Sequence, residues 1–213
     1  MSNVEAREFE LDVAGTRLLG TLSAPVLASA IVVFAHGSGS SRHSRRNIHV
    51  AERLHAERLG TLLFDLLTED ESTDRAKVFD IPLLGRRMSE AVLRVRDLVP
   101  HLPIGLFGAS TGAAAALVAA AALPELGPIV SRGGRPDLAG DALERVTAPT
   151  LLIVGGLDRE VLELNRQAQA RMRCETSLEI VPDATHLFEE PGALERVADL
   201  AAGWFGEHVD AAR

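Results

Sequence analysis

The chain alternates short apolar runs with longer stretches in which apolar residues recur every three to four positions. Glu8–Val13 and Thr16–Leu22 flank Ala14-Gly15, and this pattern predicts two antiparallel strands joined by a tight turn. Ile31–Ala35 is apolar without interruption, as expected of a strand covered on both faces. A helical pattern runs from Arg46 to Arg58 and is read as stopped by Gly60. The predicted elements then alternate: a strand at Thr61–Asp65, a helix at Pro82–Val99, a strand at Pro103–Phe107 and an alanine-rich helix at Ser110–Leu123. After these come strands at Ile129–Ser131 and Thr150–Val154, a helix at Glu160–Arg173, a strand at Ser177–Val181 and a final helix at Leu194–His208.

Repeated strand–helix–strand units predict an α/β fold: a mostly parallel sheet, antiparallel in its first strands, with helices on both faces. No Pro/Gly/Ser-rich linker interrupts the pattern, so residues 1–213 are expected to form a single domain. A hydrophobic content of 46% supports a substantial core and excludes a disordered chain. The one cysteine, Cys174, is read as a small apolar core residue, since it cannot pair within the chain. The start, Met1-Ser2-Asn3-Val4-Glu5, has no secretory pattern, and the apolar run Ala113–Leu123 is about half a membrane span. The expected location is therefore cytoplasmic, with no membrane partner. A net charge of −8 argues against nucleic acid as a partner. His43, His49 and His55 are spaced so that no two share a helical face as metal ligands, and neither a metal nor a cofactor is implied.

In open α/β sheets, ligands bind beyond the carboxyl ends of the strands. Gly108-Ala109-Ser110-Thr111-Gly112 falls there, between a strand and a small-residue helix. That is the context of a nucleophile elbow, in which a sharp turn exposes a serine and small neighbours avoid clashes. The competing reading, a glycine-rich nucleotide-binding turn, lacks both a phosphate loop with Gly-Lys-Ser/Thr and a Gly-x-Gly-x-x-Gly fingerprint. A serine hydroxyl needs a base to remove its proton and an acid to orient that base. Two histidines follow Ser110. His186 lies just after the last strand, at the same edge as Ser110. His208 is near the end of the terminal helix and is read as solvated. Asp158, just after the preceding strand, is the expected acid, with Asp137, Asp141 and Asp183 as competitors. The loop His36-Gly37-Ser38-Gly39 is expected to complete an oxyanion hole, with the amides of Ser38 and Thr111 as donors and Gly37 close to the substrate.

These segments resemble the α/β-hydrolase superfamily, and within it the dienelactone hydrolase-like family. The resemblance runs through His36–Ser41, Phe64–Thr68, Gly108–Gly112, Val130–Asp137, Pro149–Asp158 and Ala184–Pro191. The segments Asp65-Leu66-Leu67-Thr68 and Ser131-Arg132-Gly133-Gly134-Arg135 also resemble a subgroup found fused to phosphoribosyltransferase domains. Dienelactone hydrolases proper use a cysteine nucleophile where this chain has Ser110. The resemblance implies a serine hydrolase with a small-molecule acyl substrate: an ester, thioester or lactone. The alternatives carried beside it are a non-catalytic binding or partner module of the same fold and an acyltransferase with an acceptor other than water. A homodimer is compatible with this class.

The stretch between the Val130 and Leu151 strands is too short for a large helical lid, which predicts a shallow pocket. Arg132 and Arg135 stand near the nucleophile strand. Each is read either as a holder of a substrate carboxylate or as part of a structural ion pair with Asp137 or Asp141. Arg42, His43, Arg45 and Arg46 form a basic run read as a solvated helix start. Glu69-Asp70-Glu71 is read as a solvated turn able to pair with that run.

Overall fold

The computed structural model describes residues 4–209. Eight strands form one sheet in the order β1-β2-β4-β3-β5-β6-β7-β8. β1 (Val4–Val13) and β2 (Thr16–Pro25) make the expected hairpin, and Ala14 and Gly15 take positive φ values of 51° and 81° at its turn. β2 also runs antiparallel to β4 (Leu59–Phe64). From there β3 (Ala30–Ala35), β5 (Ile104–Ala109), β6 (Ile129–Arg132), β7 (Thr150–Gly155) and β8 (Thr176–Val181) are all parallel. The strands from β3 to β7 are buried along their whole length, which is why they read as unbroken apolar runs.

Helices cover both faces. α1 (Arg45–Ala56) and α7 (Ala193–His208) pack together on one face, over a core of Val32, Phe34, Phe107, Val130 and Phe205. The other face carries α4 (Ile81–Leu98), α5 (Thr111–Ala122) and α6 (Arg159–Arg171), with a 3₁₀ segment at Pro136–Arg145 between α5 and α6. α5 is apolar on every side because it lies between the sheet, α4 and the 3₁₀ segment. Its alanines permit that approach, and so does Gly85 of α4, where an added Cβ would fall 2.5 Å from Val118 Cγ1.

Several sequence expectations are corrected. α1 ends at Ala56, followed by Arg58 in the left-handed region (φ 60°); Gly60 instead lies inside β4, where a Cβ would fall 2.5 Å from Ile31 Cδ1. Glu69-Asp70-Glu71 is not a loose turn. It belongs to a short helix α2 (Glu69–Ser72) started by a reciprocal capping box between Thr68 and Glu71, and a second short helix α3 (Arg75–Val78) follows. Glu71 pairs with Arg87 and Lys77, not with the basic run near Arg42. His208 is buried: its ring packs 4.0 Å from that of Trp204, and its nitrogens meet the Trp204 carbonyl and Glu175. Cys174 is partly buried against the core, in keeping with its reading. No helix among the described residues is long and apolar enough to cross a membrane.

Candidate active site

β5 ends at Ala109, and Ser110 follows at φ 51°, ψ −121°, a region that side-chain-bearing residues rarely adopt. Two glycines make the turn possible. A Cβ on Gly108 would fall 2.4 Å from Ala113 Cα, and one on Gly112 would fall 2.3 Å from the Ala35 carbonyl oxygen. The turn is further held by the Ser110 amide, which donates to the Arg132 carbonyl at 3.1 Å, and by the Ser110 carbonyl, which accepts from Arg135 N–H at 3.1 Å.

Serine is a favoured N-cap residue, yet the Ser110 hydroxyl does not cap α5. It lies 3.3 Å from His186 Nε2, with the hydroxyl as donor. His186 Nδ1 lies 2.7 Å from Asp158 Oδ2, so the carboxylate accepts the ring N–H and leaves Nε2 free to accept from serine. Ser110, His186 and Asp158 thus form one hydrogen-bonded line at the carboxyl edge of the sheet. Asp137, Asp141 and Asp183 take no part in it. Asp137 is held by Arg135, and Asp141 by Arg171.

His186 sits on a loop fastened to its neighbours through the backbone. Leu157 N–H donates to the Ala184 carbonyl at 3.0 Å, and a Cβ on Gly155 would fall 2.4 Å from that same oxygen. The Thr185 amide and hydroxyl both donate to the Glu190 carboxylate, at 3.1 and 2.7 Å, and these bonds hold the Glu190 carboxyl below its ordinary pKa. Sequence reasoning missed this latch because no periodicity links a threonine to a glutamate five residues on.

The loop after β3 is fixed by His36. Its Nδ1–H donates to the Gly37 carbonyl at 3.0 Å, while its Nε2 accepts the Leu66 amide at 3.0 Å. Burial lowers the pKa of this ring and favours the neutral form that such a pattern requires. Gly37 packs directly on the serine, since a Cβ there would fall 3.0 Å from Ser110 Cβ. The Ser38 amide, expected as an oxyanion donor, gives its hydrogen to Thr111 Oγ1 at 2.9 Å. Thr111 is the first residue of α5, so its own amide has no acceptor within the helix.

Arg42 and Arg46 of the basic run are not simply solvated. Arg42 is ion-paired to Asp65 at 3.0 Å and also gives its amide to that carboxylate. Arg135 makes a two-pronged pair with Asp137, at 2.8 and 2.7 Å, which satisfies the ion-pair reading for that residue. Arg132 has no such partner. Its guanidinium is buried, and desolvation, reinforced by the charge of Arg46, holds its pKa down to about 10.

A cleft of about 520 Å³ opens beside the loop after β3, lined among others by Leu18, Ser38, Arg42, Leu66, Leu84 and Thr111. One wall comes from the segment after β4, through Asp65, Leu66, Leu67, Thr68, Glu69, Ser72 and Val78, and not from the short β6–β7 connection.

A strained serine after a central strand, a histidine after the last strand and an acid after the one before it are arranged here as in an enzyme of the α/β-hydrolase kind. The chain belongs to the alpha/beta hydrolase domain family, whose model matches residues 28–200. It is similar to a dienelactone hydrolase from Anabaena variabilis, with 49% identity and a TM-score of 0.94 over 97% of this chain and 99% of that one. Est1E from Butyrivibrio proteoclasticus shares the fold, with a TM-score of 0.75 at 17% identity over 94% of this chain and 98% of that one. A protein of Mycobacterium tuberculosis strain H37Rv, provisionally named a phosphoribosyl transferase, is 58% identical over 193 residues. That match covers 89% of this chain and 44% of the relative, so the chain spans less than half the length of the curated relatives it matches.

Proposed function

We propose that the protein is a serine hydrolase that cleaves a small ester, thioester or lactone through an acyl-enzyme intermediate. The observation that carries this reading is the hydrogen-bonded line Ser110–His186–Asp158 at a positive-φ serine. In it, Ser110 Oγ attacks the acyl carbonyl carbon while His186 Nε2 takes the hydroxyl proton, and the C=O π bond opens to an oxyanion. Asp158 holds the ring in the Nδ1–H tautomer and stabilises the imidazolium that forms. The oxyanion faces the Thr111 amide at the positive end of α5. A second donor comes from the loop after β3 once Ser38 N–H turns from Thr111 Oγ1, or from the Thr111 hydroxyl itself. Collapse of the tetrahedral adduct expels the alcohol or thiol, which takes the proton from His186. Water then repeats the sequence and releases the acid.

The cleft of about 520 Å³ suits a small acyl group, and the similarity to a dienelactone hydrolase supports hydrolysis of a small ester or lactone. The transferase name of the longer relatives we assign to the part of those proteins that lies outside the matched region.

The test is intact mass after incubation with a fluorophosphonate, for wild type and Ser110→Ala. One adduct on the wild type and none on the variant is the expected result. An unlabelled, folded wild type would move the reading to a binding module that keeps the fold without the activity.

A further inference from the structure

Two arginines are buried among the described residues, Arg87 and Arg132, and they are treated differently. Both Nη groups of Arg87 are paired, with Glu71 and the Leu66 carbonyl, and only its Nε is left without a partner. The Arg132 side chain makes no hydrogen bond or ion pair with the described residues, and its Nη1 is enclosed. The nearby guanidinium of Arg46, a like charge, adds to the lowering of its pKa by burial. Arg46 in turn has a buried Nε without a partner, and among the described residues its side chain makes one ion pair, a long one of 3.5 Å, to the exposed carboxylate of Glu189. Burying a guanidinium without an acceptor is unfavourable, and a bound anion would relieve that cost.

The position is specific. Arg132 pairs with Ala109 in the β5–β6 register, and its carbonyl receives the Ser110 amide at 3.1 Å. The next residue, Gly133, lies against the base, since a Cβ there would fall 3.6 Å from His186 Cε1. Strand alternation puts the Arg132 side chain on the face of Val130 and Ala109, which α1 and α7 cover. Arg46 comes from the first turn of α1. The donors left over are the five N–H groups of Arg132 and the Nε–H of Arg46, more than the four acceptor sites of a carboxylate. A phosphate monoester offers three terminal oxygens and close to two negative charges at neutral pH, which matches two guanidinium groups.

We propose that Arg132 and Arg46 form an anion subsite beside Ser110 that takes a phosphate monoester group carried by the substrate. The subsite deepens the hydrolase reading and rests on it, because it names the class of acyl compound as a phosphorylated one.

The probe is inorganic phosphate, read by thermal unfolding at pH 7.5 and fixed ionic strength on wild type and Ser110→Ala. Phosphate at ten times its dissociation constant is expected to raise the melting temperature of both by about 3–6 °C. Arg132→Met abolishes the shift and Arg46→Met weakens it. Arg132→Met by itself unfolds no earlier than wild type, because it removes an unpaired buried charge. No shift with phosphate, a shift that survives in Arg132→Met, or an equal shift with glutarate would overturn the proposal. If fluorophosphonate labelling fails while the Arg132-dependent shift remains, the subsite stands and the hydrolase reading falls.

Discussion

The wall of the cleft is tied to the body of the protein by an ion pair between half-buried Glu71 and buried Arg87, and its strength can be worked out. The Glu71 carboxylate accepts both Nη groups of Arg87, at 2.6 and 3.0 Å, together with the Lys77 ammonium at 3.1 Å and the Thr68 amide at 3.1 Å. The Arg87 hydrogen bonds are the main cause that lowers the Glu71 pKa from 4.5 to about 2. A depressed carboxylate stabilises the fold above its unfolded pKa, and that contribution is lost as pH falls through the folded value. The drop from 4.5 to about 2 corresponds to about 3 kcal/mol at neutral pH, of which about 2 kcal/mol is gone by pH 3.

Glu71→Gln keeps the shape and removes the charge, and it leaves Arg87 buried without a counter-charge. The expected loss at pH 7 is about 3 kcal/mol, which agrees with the ~3–5 kcal/mol typical of breaking a buried pair. For a chain of this size the melting temperature should drop by roughly 6–12 °C. The assay is thermal unfolding of wild type and variant from pH 7 to pH 3. The gap between them should shrink to less than half as the wild type approaches protonation of Glu71. A gap that stays constant across that range would show that the charge of Glu71 is not what stabilises α2, and would refute the argument.

Asp158→Asn should leave the melting temperature within about 2 °C of wild type but lower kcat by about 10³–10⁴, because the amide no longer fixes the reactive tautomer of His186; stopped-flow or steady-state hydrolysis of a p-nitrophenyl ester measures it. Gly112→Ala places a methyl group 2.3 Å from the Ala35 carbonyl oxygen and 2.5 Å from that of His36, both of them backbone atoms. It should cost about 2–3 kcal/mol in denaturant unfolding and slow fluorophosphonate labelling, since relief of the clash displaces the loop after β3.

The parts of the fold that could be read from the sequence are those in which one local signal suffices. β3 and β5 are buried on both faces, so each shows as an unbroken apolar run, and the carboxyl-edge rule then points to Ser110, Asp158 and His186. The capping box Thr68-x-x-Glu71 was present in the sequence but opens a helix of only four residues, too short for any periodicity to support it. Other features depend on residues far apart in the chain. The burial of His208 requires Glu175 from before β8, and the occupation of the Ser38 amide requires the Thr111 hydroxyl 73 residues later. The contrast between Arg132 and Arg135 belongs here too. Both stand in one short segment, but the partner of Arg135 is two residues away whereas the surroundings of Arg132 are set by α1.

The strain at Ser110 also explains why the helix behind it is so plain in composition. A positive φ at a residue with a side chain costs about 1–3 kcal/mol and persists only where its surroundings leave no alternative. α5 supplies that constraint. Ala113 to Leu117 are almost wholly buried, and larger side chains would push the helix off the sheet and let the turn relax. His186 and Asp158 meet a different requirement. They sit on loops, so their geometry comes from backbone contacts between the β7 and β8 ends and from the Thr185–Glu190 latch. A helix packed on all sides can fix one atom in place, while two latched loops can admit a substrate between them. The unpaired Arg132 stands on β6, between the strand that carries the serine and the strand that leads to the acid, where a bound anion would touch both arrangements at once.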